Sequence, residues 1–151
     1  MGKVAEALIA KCPACGTNNR ITPQRAAKHL PICGRCKKPL PSQGVFTPVI
    51  VTDTNFAEIV ERSTVPVLLD LWAAWCGPCR ILAPTIDSLA KELAGNVLVG
   101  KVDVDANPRT AARFRVQSIP TLLILDKGRE IERIVGVQSK EAILGKLSRL
   151  T

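Results

Sequence analysis

The stretch that decides the fold is Val65-Pro-Val-Leu-Leu-Asp-Leu-Trp72-Ala-Ala-Trp75-Cys76-Gly77-Pro78-Cys79-Arg80. Its first half, 65–72, is almost continuously apolar, which is typical of a strand that is covered on both faces of a sheet. A helix is predicted directly after it, from about residue 79 to 93, because apolar residues recur there at helical spacing. The cysteine pair therefore stands where a buried strand passes into a helix.

This position favours redox chemistry at the cysteine pair. The unpaired N–H groups and the positive end of the dipole at a helix N-terminus stabilise a thiolate, so Cys76 is the predicted nucleophile. Gly77 is expected to permit a tight loop, and Pro78 to stiffen it without removing a helix hydrogen bond. Cys79, one turn inward, is expected to be less accessible and to act as the resolving thiol. The alternatives are a third metal knuckle or an inert pair.

One charged residue interrupts the buried strand. Asp70 is expected to be desolvated there, which raises the pKa of a carboxyl group and marks it as a candidate catalytic residue. The alternative is a structural carboxylate paired with Lys101 in the next strand.

Alternating strand and helix signals continue from Val45 to the C-terminus, in the order β-α-β-α-β-α-β-β-α. This order predicts a mixed α/β domain with a central sheet flanked by helices. Strands are predicted at 49–51, 65–72, 97–102, 121–125 and 130–135, and helices at about 55–63, 79–93, 107–114 and 139–150.

The other four cysteines form two further Cys-x-x-Cys pairs, separated by 17 residues. Four thiolates at this spacing predict one structural zinc ion with no open coordination position. The segment around them has little hydrophobic periodicity, so metal binding would supply much of its folding free energy. Two disulfides or a redox-switchable cluster are the alternatives, and His29 is expected to lie on the surface. The predicted metal ligands are Cys12, Cys15, Cys33 and Cys36.

Three segments are predicted: a small zinc ribbon at residues 1–40, a linker at 41–46 and a catalytic domain at 47–151. The net charge of +8 is concentrated in the first segment, because eight basic residues and one acidic residue, Glu6, precede Val45. Such asymmetry favours an acidic partner or nucleic acid, or is simply a solvated surface. Nucleic acid is not expected, since no Phe, Tyr or Trp precedes Phe46 to stack on bases.

No run of apolar residues is long enough to span a membrane. Residues 1–10 resemble a secretory leader only faintly, because the run is short, contains Glu6 and is followed by Lys11 and Cys12 with no cleavage site. Cysteines paired at a spacing of two suit a reducing compartment. A cytoplasmic protein without membrane association is therefore expected.

The stretch Trp75-Cys76-Gly77-Pro78-Cys79 matches the active-site signature of the thioredoxin family, and the sequence from about Val45 to Leu150 resembles that family. The resemblance implies the thioredoxin fold. The four-cysteine segment in front of it is similar to that of the bacterial thioredoxin 2 subclass. Further matching positions are Pro84, Lys101, Ser118-Ile119-Pro120-Thr121, Gly128 and Gly136.

The resemblance also implies roles for individual residues. Asp70 would accept and return the proton of the Cys79 thiol, with Lys101 close to it. The Ile119-Pro120 bond would be cis and would face the dithiol, while Trp72 would pack beneath it. The implied docking surface for substrates consists of Trp75, Ile119, Pro120, Val135, Gly136 and Val137.

The function that follows from this resemblance is protein-disulfide reduction by thiol–disulfide exchange through a mixed disulfide. Its implied partners are disulfide-containing target proteins and an NADPH-dependent thioredoxin reductase, with no bound organic cofactor and a monomeric state. Two alternatives remain: a zinc-dependent redox sensor, and a binding module in which the basic ribbon holds nucleic acid or protein on a thioredoxin scaffold.

Overall fold

The structure is a computed structural model that describes residues 8–21, 31–40, 47–94 and 96–150. The predicted linker, 41–46, and His29 lie outside the described residues. None of the helices in the described ranges is long and apolar enough to cross a membrane.

The front of the chain contains a hairpin that the sequence pattern did not predict. Strand β1, Leu8–Lys11, pairs antiparallel with β2, Asn18–Ile21. The turn between them closes on Gly16, whose positive φ of 77° is readily adopted by glycine and whose N–H donates to the Cys12 carbonyl at 2.9 Å. The second cysteine pair forms a similar turn, in which the Lys37 N–H donates to the Cys33 carbonyl at 3.0 Å.

A five-stranded mixed sheet forms the centre of the second region, as predicted. The strands lie in the order β3-β5-β4-β6-β7; β3 and β4 pair parallel with β5, whereas β6 pairs antiparallel with both β4 and β7. Strand β4 is thereby buried at the centre, which explains its apolar run. The bounds are Val49–Ile50 for β3, Val67–Trp72 for β4, Leu98–Asp103 for β5, Thr121–Asp126 for β6 and Arg129–Val135 for β7.

The helices also follow the predicted order. Helix α1 is Gly77–Glu92, α2 is Pro108–Arg113 and α3 is Lys140–Ser148. The helix predicted at 55–63 is instead a five-residue π-helical segment, Ala57–Glu61, in which the Arg62 N–H donates to the Ala57 carbonyl.

Two hydrophobic cores cover the two faces of the sheet. Alternation along β4 places Leu68 in the core beneath α1 and α3, and Leu69 in the core beneath α2 and the π-helical segment. Asp70 is two residues from Leu68, so it lies on the face that α1 covers. The sheet therefore brings a carboxyl group to the side of the sheet on which the helix with the cysteine pair lies.

Candidate active site and metal centre

The cysteine pair is joined as a disulfide at the start of α1. Cys76 directly precedes the helix with an extended backbone, and Cys79 lies in the first turn, with the two Cα atoms 5.3 Å apart. The Cys79 N–H donates to the Cys76 Sγ at 3.2 Å. A free amide of the first helical turn thus points at the Cys76 sulfur, where it would stabilise negative charge.

The residues between the cysteines behave as ordinary helix-start residues. Pro78 occupies the first turn, where no N–H is needed. Gly77 has no positive φ, and a Cβ atom built on it meets nothing within 4 Å. The loop therefore does not require the conformational freedom of Gly77, contrary to the reason given for it from sequence.

Accessibility does not separate the two cysteines in this disulfide form, since each is 3% exposed. Their neighbours do separate them. The Cys76 Sγ lies 3.8 Å from the Ile119 carbonyl oxygen, and the Ile119–Pro120 peptide bond is cis, as the resemblance implied. The two cysteines and Ala73 pack against Trp72, Val104 and Ile119.

The implied docking residues include three exposed side chains: Trp75 is 67% exposed, Val135 53% and Val137 43%. Ile119 is half-buried, whereas Pro120 is buried, so Pro120 offers little side-chain surface to a partner.

The backbone ties one part of this surface together. The Gly136 N–H donates to the Pro120 carbonyl at 2.9 Å, and Gly136 has a positive φ of 87°. This bond continues the pairing of Thr121 with Val135 between β6 and β7 by one residue. It places Gly136 next to the loop that faces Cys76.

A groove of about 380 Å³ adjoins the disulfide. Trp75 and Ile119 line one part of it, and residues of α2 line another. The indole N–H of Trp75 donates to the Asp105 carboxylate at 2.8 Å, which fixes the ring at the rim. The full lining is Trp75, Val104, Pro108, Ala111, Val116, Gln117, Ser118 and Ile119.

Asp70 is almost completely buried, at 1% exposure, and its Oδ1 atom has no hydrogen-bond partner among the described residues. Burial raises the pKa of Asp70 to about 6; the charge of Lys101 opposes this rise and that of Asp87 adds to it. Lys101 pairs with Asp70 in the strand register, but its ammonium lies 4.9 Å from the centroid of the Trp72 ring. Within the described ranges no salt bridge joins Asp70 to Lys101. Asp70 is thus a buried carboxyl group with a raised pKa and without an ion pair to Lys101 in the described ranges.

The four ribbon cysteines converge on one point. Their sulfur atoms all lie within 4.8 Å of one another, and two pairs, Cys12 with Cys36 and Cys15 with Cys33, are 3.6 Å apart. Tetrahedral zinc with Zn–S bonds of about 2.3 Å places its sulfur ligands about 3.8 Å apart, whereas a disulfide needs about 2.05 Å. The four thiols are free in the structure. Their arrangement could hold a metal ion and fits tetrahedral zinc.

Asn19 connects the two halves of this cluster. Its Nδ2 donates to the Thr17 carbonyl at 3.0 Å and lies 3.5 Å from the Cys33 Sγ, while its Oδ1 accepts the Gly34 N–H at 2.9 Å. Backbone N–H groups of Cys36 and Arg35, together with Asn19, lower the pKa of Cys33. The second knuckle is thus held against the first by an amide side chain.

The ribbon completes its small core with a residue from the other region. Cys12 and Cys33 pack with Ile21, Leu40 and Ala94, each of them buried. Ala94 lies two residues beyond the end of α1, whereas Cys76 directly precedes its start. The described part of the ribbon therefore contacts α1 at the end opposite the disulfide.

Comparison with known proteins assigns the second region. The sequence model of the family described as Thioredoxin matches residues 47–149. The chain belongs to the thioredoxin family.

The relatives extend this assignment. Thioredoxin C-3 of Corynebacterium nephridii is 41% identical over 129 residues, covering 85% of this chain and 86% of that protein. This alignment is longer than the family match, so the similarity reaches into the front segment. Thioredoxin of Mycobacterium tuberculosis (strain ATCC 25618 / H37Rv) is 50% identical over 98 residues, covering 65% of this chain and 84% of that protein. Membership of this family makes the chain a thiol–disulfide oxidoreductase with protein-disulfide reductase activity.

Sequence reasoning missed four contacts of the thioredoxin site and the metal centre. Arg80 donates to the Ala74 carbonyl at 2.6 Å and braces the turn before the cysteines. Asp105 holds Trp75, Asn19 joins the knuckles and Ala94 closes the ribbon core. Three of these contacts join residues 15 or more positions apart, and no local pattern marks them.

Asp70→Asn is expected to stabilise the oxidised protein at neutral and alkaline pH. The pKa of Asp70 is about 6 when folded and usually 3.8; a raised acid pKa means that stability falls as the pH rises between these values. Above pH 6, ionised Asp70 lowers the free energy of unfolding by about 3 kcal/mol, and the substitution removes this loss. Urea unfolding at pH 8 and pH 3.5 measures it: the variant gains up to about 3 kcal/mol at pH 8 and little at pH 3.5.

The matched control is Asp126→Asn, which changes an exposed carboxylate. Its free energy of unfolding is expected to stay within about 0.5 kcal/mol of the parent at both pH values. A destabilised Asp70→Asn protein at pH 8 would contradict the view that the charged form of Asp70 is costly.

Asn19→Ala is expected to weaken metal binding without changing any of the four cysteines. The substitution removes the acceptor for the Gly34 N–H and the donor near Cys33. Loss of such an orienting partner typically costs about 10- to 100-fold in metal affinity. Competition with a chromophoric chelator measures the affinity, and Asn18→Ala, at an exposed neighbouring position, serves as the control. Equal affinities for both variants would show that Asn19 does not hold the knuckles.

Proposed function

We propose that the chain reduces disulfides in protein targets, with Cys76 as the nucleophile and Cys79 as the resolving thiol. In the reduced form the Cys76 thiolate attacks a target disulfide, which breaks that bond and releases one target thiolate. The observation that carries this assignment is the Cys79 N–H donated to the Cys76 Sγ at 3.2 Å. That donor stabilises Cys76 as the attacking anion of the first step.

The second step requires Cys79 to lose its proton. The Cys79 thiolate attacks the Cys76 Sγ of the mixed disulfide, forms the Cys76–Cys79 disulfide and releases the second target thiolate. Asp70 is the proposed base, since burial brings the pKa of Asp70 to about 6 and its strand position places it on the face covered by α1. Lys101, whose charge opposes that rise, is proposed to keep the carboxylate form accessible.

The docking surface is proposed to consist of Trp75, Ile119, Val135, Gly136 and Val137, with Pro120 acting through its backbone. Three of these side chains are exposed, and the Ile119 carbonyl faces Cys76. An extended target segment could therefore lie across the loop and present its disulfide to Cys76. The adjoining groove would accept an apolar side chain beside Trp75.

Electrons are proposed to come from an NADPH-dependent thioredoxin reductase. A relative named bifunctional thioredoxin reductase/thioredoxin, from Mycobacterium leprae (strain TN), is 46% identical over 98 residues, covering 65% of this chain and 21% of that protein. That name joins the two activities in one polypeptide. We place this chain in the cytoplasm as a monomer without an organic cofactor, where a separate reductase would regenerate the dithiol.

The ribbon cysteines Cys12, Cys15, Cys33 and Cys36 are proposed to hold one structural zinc ion, as in the thioredoxin 2 subclass. Bound there, zinc would supply cross-linking and no reaction chemistry, because four thiolates complete its coordination. The boundaries proposed for the ribbon, linker and thioredoxin domain are 1–40, 41–46 and 47–151.

Turnover of a protein disulfide tests the proposed function. The full chain, in catalytic amount with excess dithiothreitol, is expected to accelerate reduction of insulin over dithiothreitol alone. The dithiothreitol supplies both electrons and ends as its cyclic disulfide. A rate equal to that of dithiothreitol alone, with protein shown to be folded, would refute the proposal.

A further inference from the structure

The described part of the ribbon carries positive charge only. Residues 8–21 and 31–40 contain five basic residues and no acidic residue. Four thiolates around one divalent ion add a net charge of about −2, so this region stays positive with its metal bound. All five basic residues are exposed: Lys11, Arg20, Arg35, Lys37 and Lys38.

Two isoleucines of the described ribbon are exposed, and one of them lies beside cations. Ile9 is 67% exposed and Ile32 is 55% exposed. The strand register pairs Ile9 with Arg20, and alternation along β1 places Lys11 on the same face as Ile9. The outer face of the hairpin therefore presents an apolar side chain between two cations, while Ile21 of the other face is buried in the ribbon core.

This surface is separated from the disulfide by the length of a helix. The ribbon core contacts Ala94, beyond the end of α1, and Cys76 precedes its start. The 16 residues of α1 span about 24 Å at 1.5 Å per residue. A single partner could therefore occupy both places without competition between them.

We propose that the ribbon surface, defined as Ile9, Lys11 and Arg20 on the outer face of the hairpin, is a second docking site for protein substrates that carry an acidic, apolar segment. The inference rests on the proposed disulfide-reductase function and names a substrate class for it. Carboxylates would pair with Lys11 and Arg20, and apolar side chains would cover Ile9. Holding a target there raises the effective concentration of its disulfide at Cys76.

A polypeptide fits this surface better than a nucleic acid does. The sequence contains no Phe, Tyr or Trp before Phe46, whereas single strands are held largely by stacking on such rings. Exposed isoleucines have no role in binding phosphates but pack well on leucine or valine side chains.

Two synthetic peptides test the proposal. In each peptide, a linker of about 20 Gly/Ser residues joins a disulfide-closed loop to a tail of alternating Glu-Leu or Gln-Leu. The root-mean-square length of this linker is about 25 Å, which matches the length of α1. At 50 mM salt, the full chain is expected to have a KM for the Glu-Leu peptide at least about fivefold lower than its KM for the Gln-Leu peptide. The two kcat values are expected to be the same. At 500 mM salt the difference is expected to disappear.

Charge reversal locates the effect. Lys11→Glu with Arg20→Glu is expected to remove the KM advantage of the Glu-Leu peptide and to leave the Gln-Leu peptide unchanged. The control, Arg62→Glu with Arg149→Glu, changes the net charge equally at exposed positions outside the ribbon and is expected to retain the advantage. The salt series on the unaltered chain needs no variant, so the proposal stays testable if reversal disturbs the hairpin.

The outcomes separate the two proposals. Equal KM values for the two peptides in the unaltered chain would overturn the docking site and leave the reductase function standing. Loss of the lower KM for the Glu-Leu peptide only in the Arg62→Glu, Arg149→Glu variant would also overturn it, because the site would then lie outside the ribbon. Displacement of the Glu-Leu peptide by oligo-dT at lower concentration than by poly-glutamate would make nucleic acid the partner and overturn the substrate class. Failure to reduce either peptide would count against the reductase function itself.

Discussion

Replacing Cys76 by serine is expected to abolish disulfide reduction, with a loss on the order of a thousandfold or more, because a serine hydroxyl is not ionised at neutral pH. Cys79→Ser is expected to stop the cycle one step later. Its Cys76 would still attack the target, but no thiol would follow, so the mixed disulfide accumulates. Mass spectrometry of the intact chain after incubation with an excess of a disulfide peptide measures the adduct, which is expected on nearly every Cys79→Ser molecule.

The two variants control for each other, since each retains one thiol of the pair. Cys76→Ser retains Cys79, which lies in the first turn of the helix, and is expected to form the adduct far more slowly. Equally fast adduct formation by both variants would contradict the separate roles of Cys76 as nucleophile and Cys79 as resolving thiol. Unchanged thermal unfolding of both reduced variants would confirm that the effect is chemical.

Removing the metal is expected to unfold the ribbon and to leave the thioredoxin domain folded. Among the ribbon residues whose burial the structure describes, 9–21 and 31–40, the buried aliphatic side chains are Ile21 and Leu40. Two such side chains contribute roughly 3–6 kcal/mol, whereas ordering costs about 1–2 kcal/mol for each residue. Structural zinc binding, worth about 10–16 kcal/mol, exceeds the contribution of these two side chains, so the ribbon is expected to depend on the metal.

Hydrogen exchange after treatment with a chelator measures this outcome. Amides of β1 and β2 are expected to lose protection, while those of β4, β5 and β6 keep it, because the sheet has two cores of its own. Cys15→Ser is expected to reproduce the loss without chelator, and Ala14→Ser, at the exposed position beside it, is the matched control. Full protection of β1 and β2 in verified metal-free protein would contradict this prediction.

The centre of the fold was predictable because its signals are local and agree with one another. The apolar run before Cys76 favoured a buried strand, and the helical periodicity after it indicated the helix that follows. The start of that helix was less predictable. It begins at Gly77, capped by the Cys76 sulfur, and thiols are not among the usual capping groups.

The ribbon hairpin shows where sequence patterns fail. Strands β1 and β2 have four residues each and include Lys11, Asn18 and Arg20, so they show no apolar alternation to detect. The convergence of the cysteines organises them instead. The cysteine spacing predicted the cluster correctly, but it carried no information on the strands beside it.

Within the site, residue chemistry was predictable and tertiary contacts were not. A raised pKa for Asp70 was expected from a carboxyl group in an apolar strand, and the structure shows the burial that causes it. The contact of Trp75 with Asp105 joins residues 30 positions apart and needed coordinates. The burial of Pro120 was likewise invisible in a motif that marks the residue only as part of a loop.

The packing of Ala94 under the ribbon has an evolutionary consequence. At 4% exposure, this position has room for a methyl group and little more. In thioredoxins that lack the front module, the same site would face water and would tolerate long polar side chains. Alanine or glycine at this position is therefore expected to occur together with the two extra cysteine pairs in related sequences. If small residues were equally frequent there in relatives without those cysteines, the contact between Ala94 and the ribbon would not constrain the position.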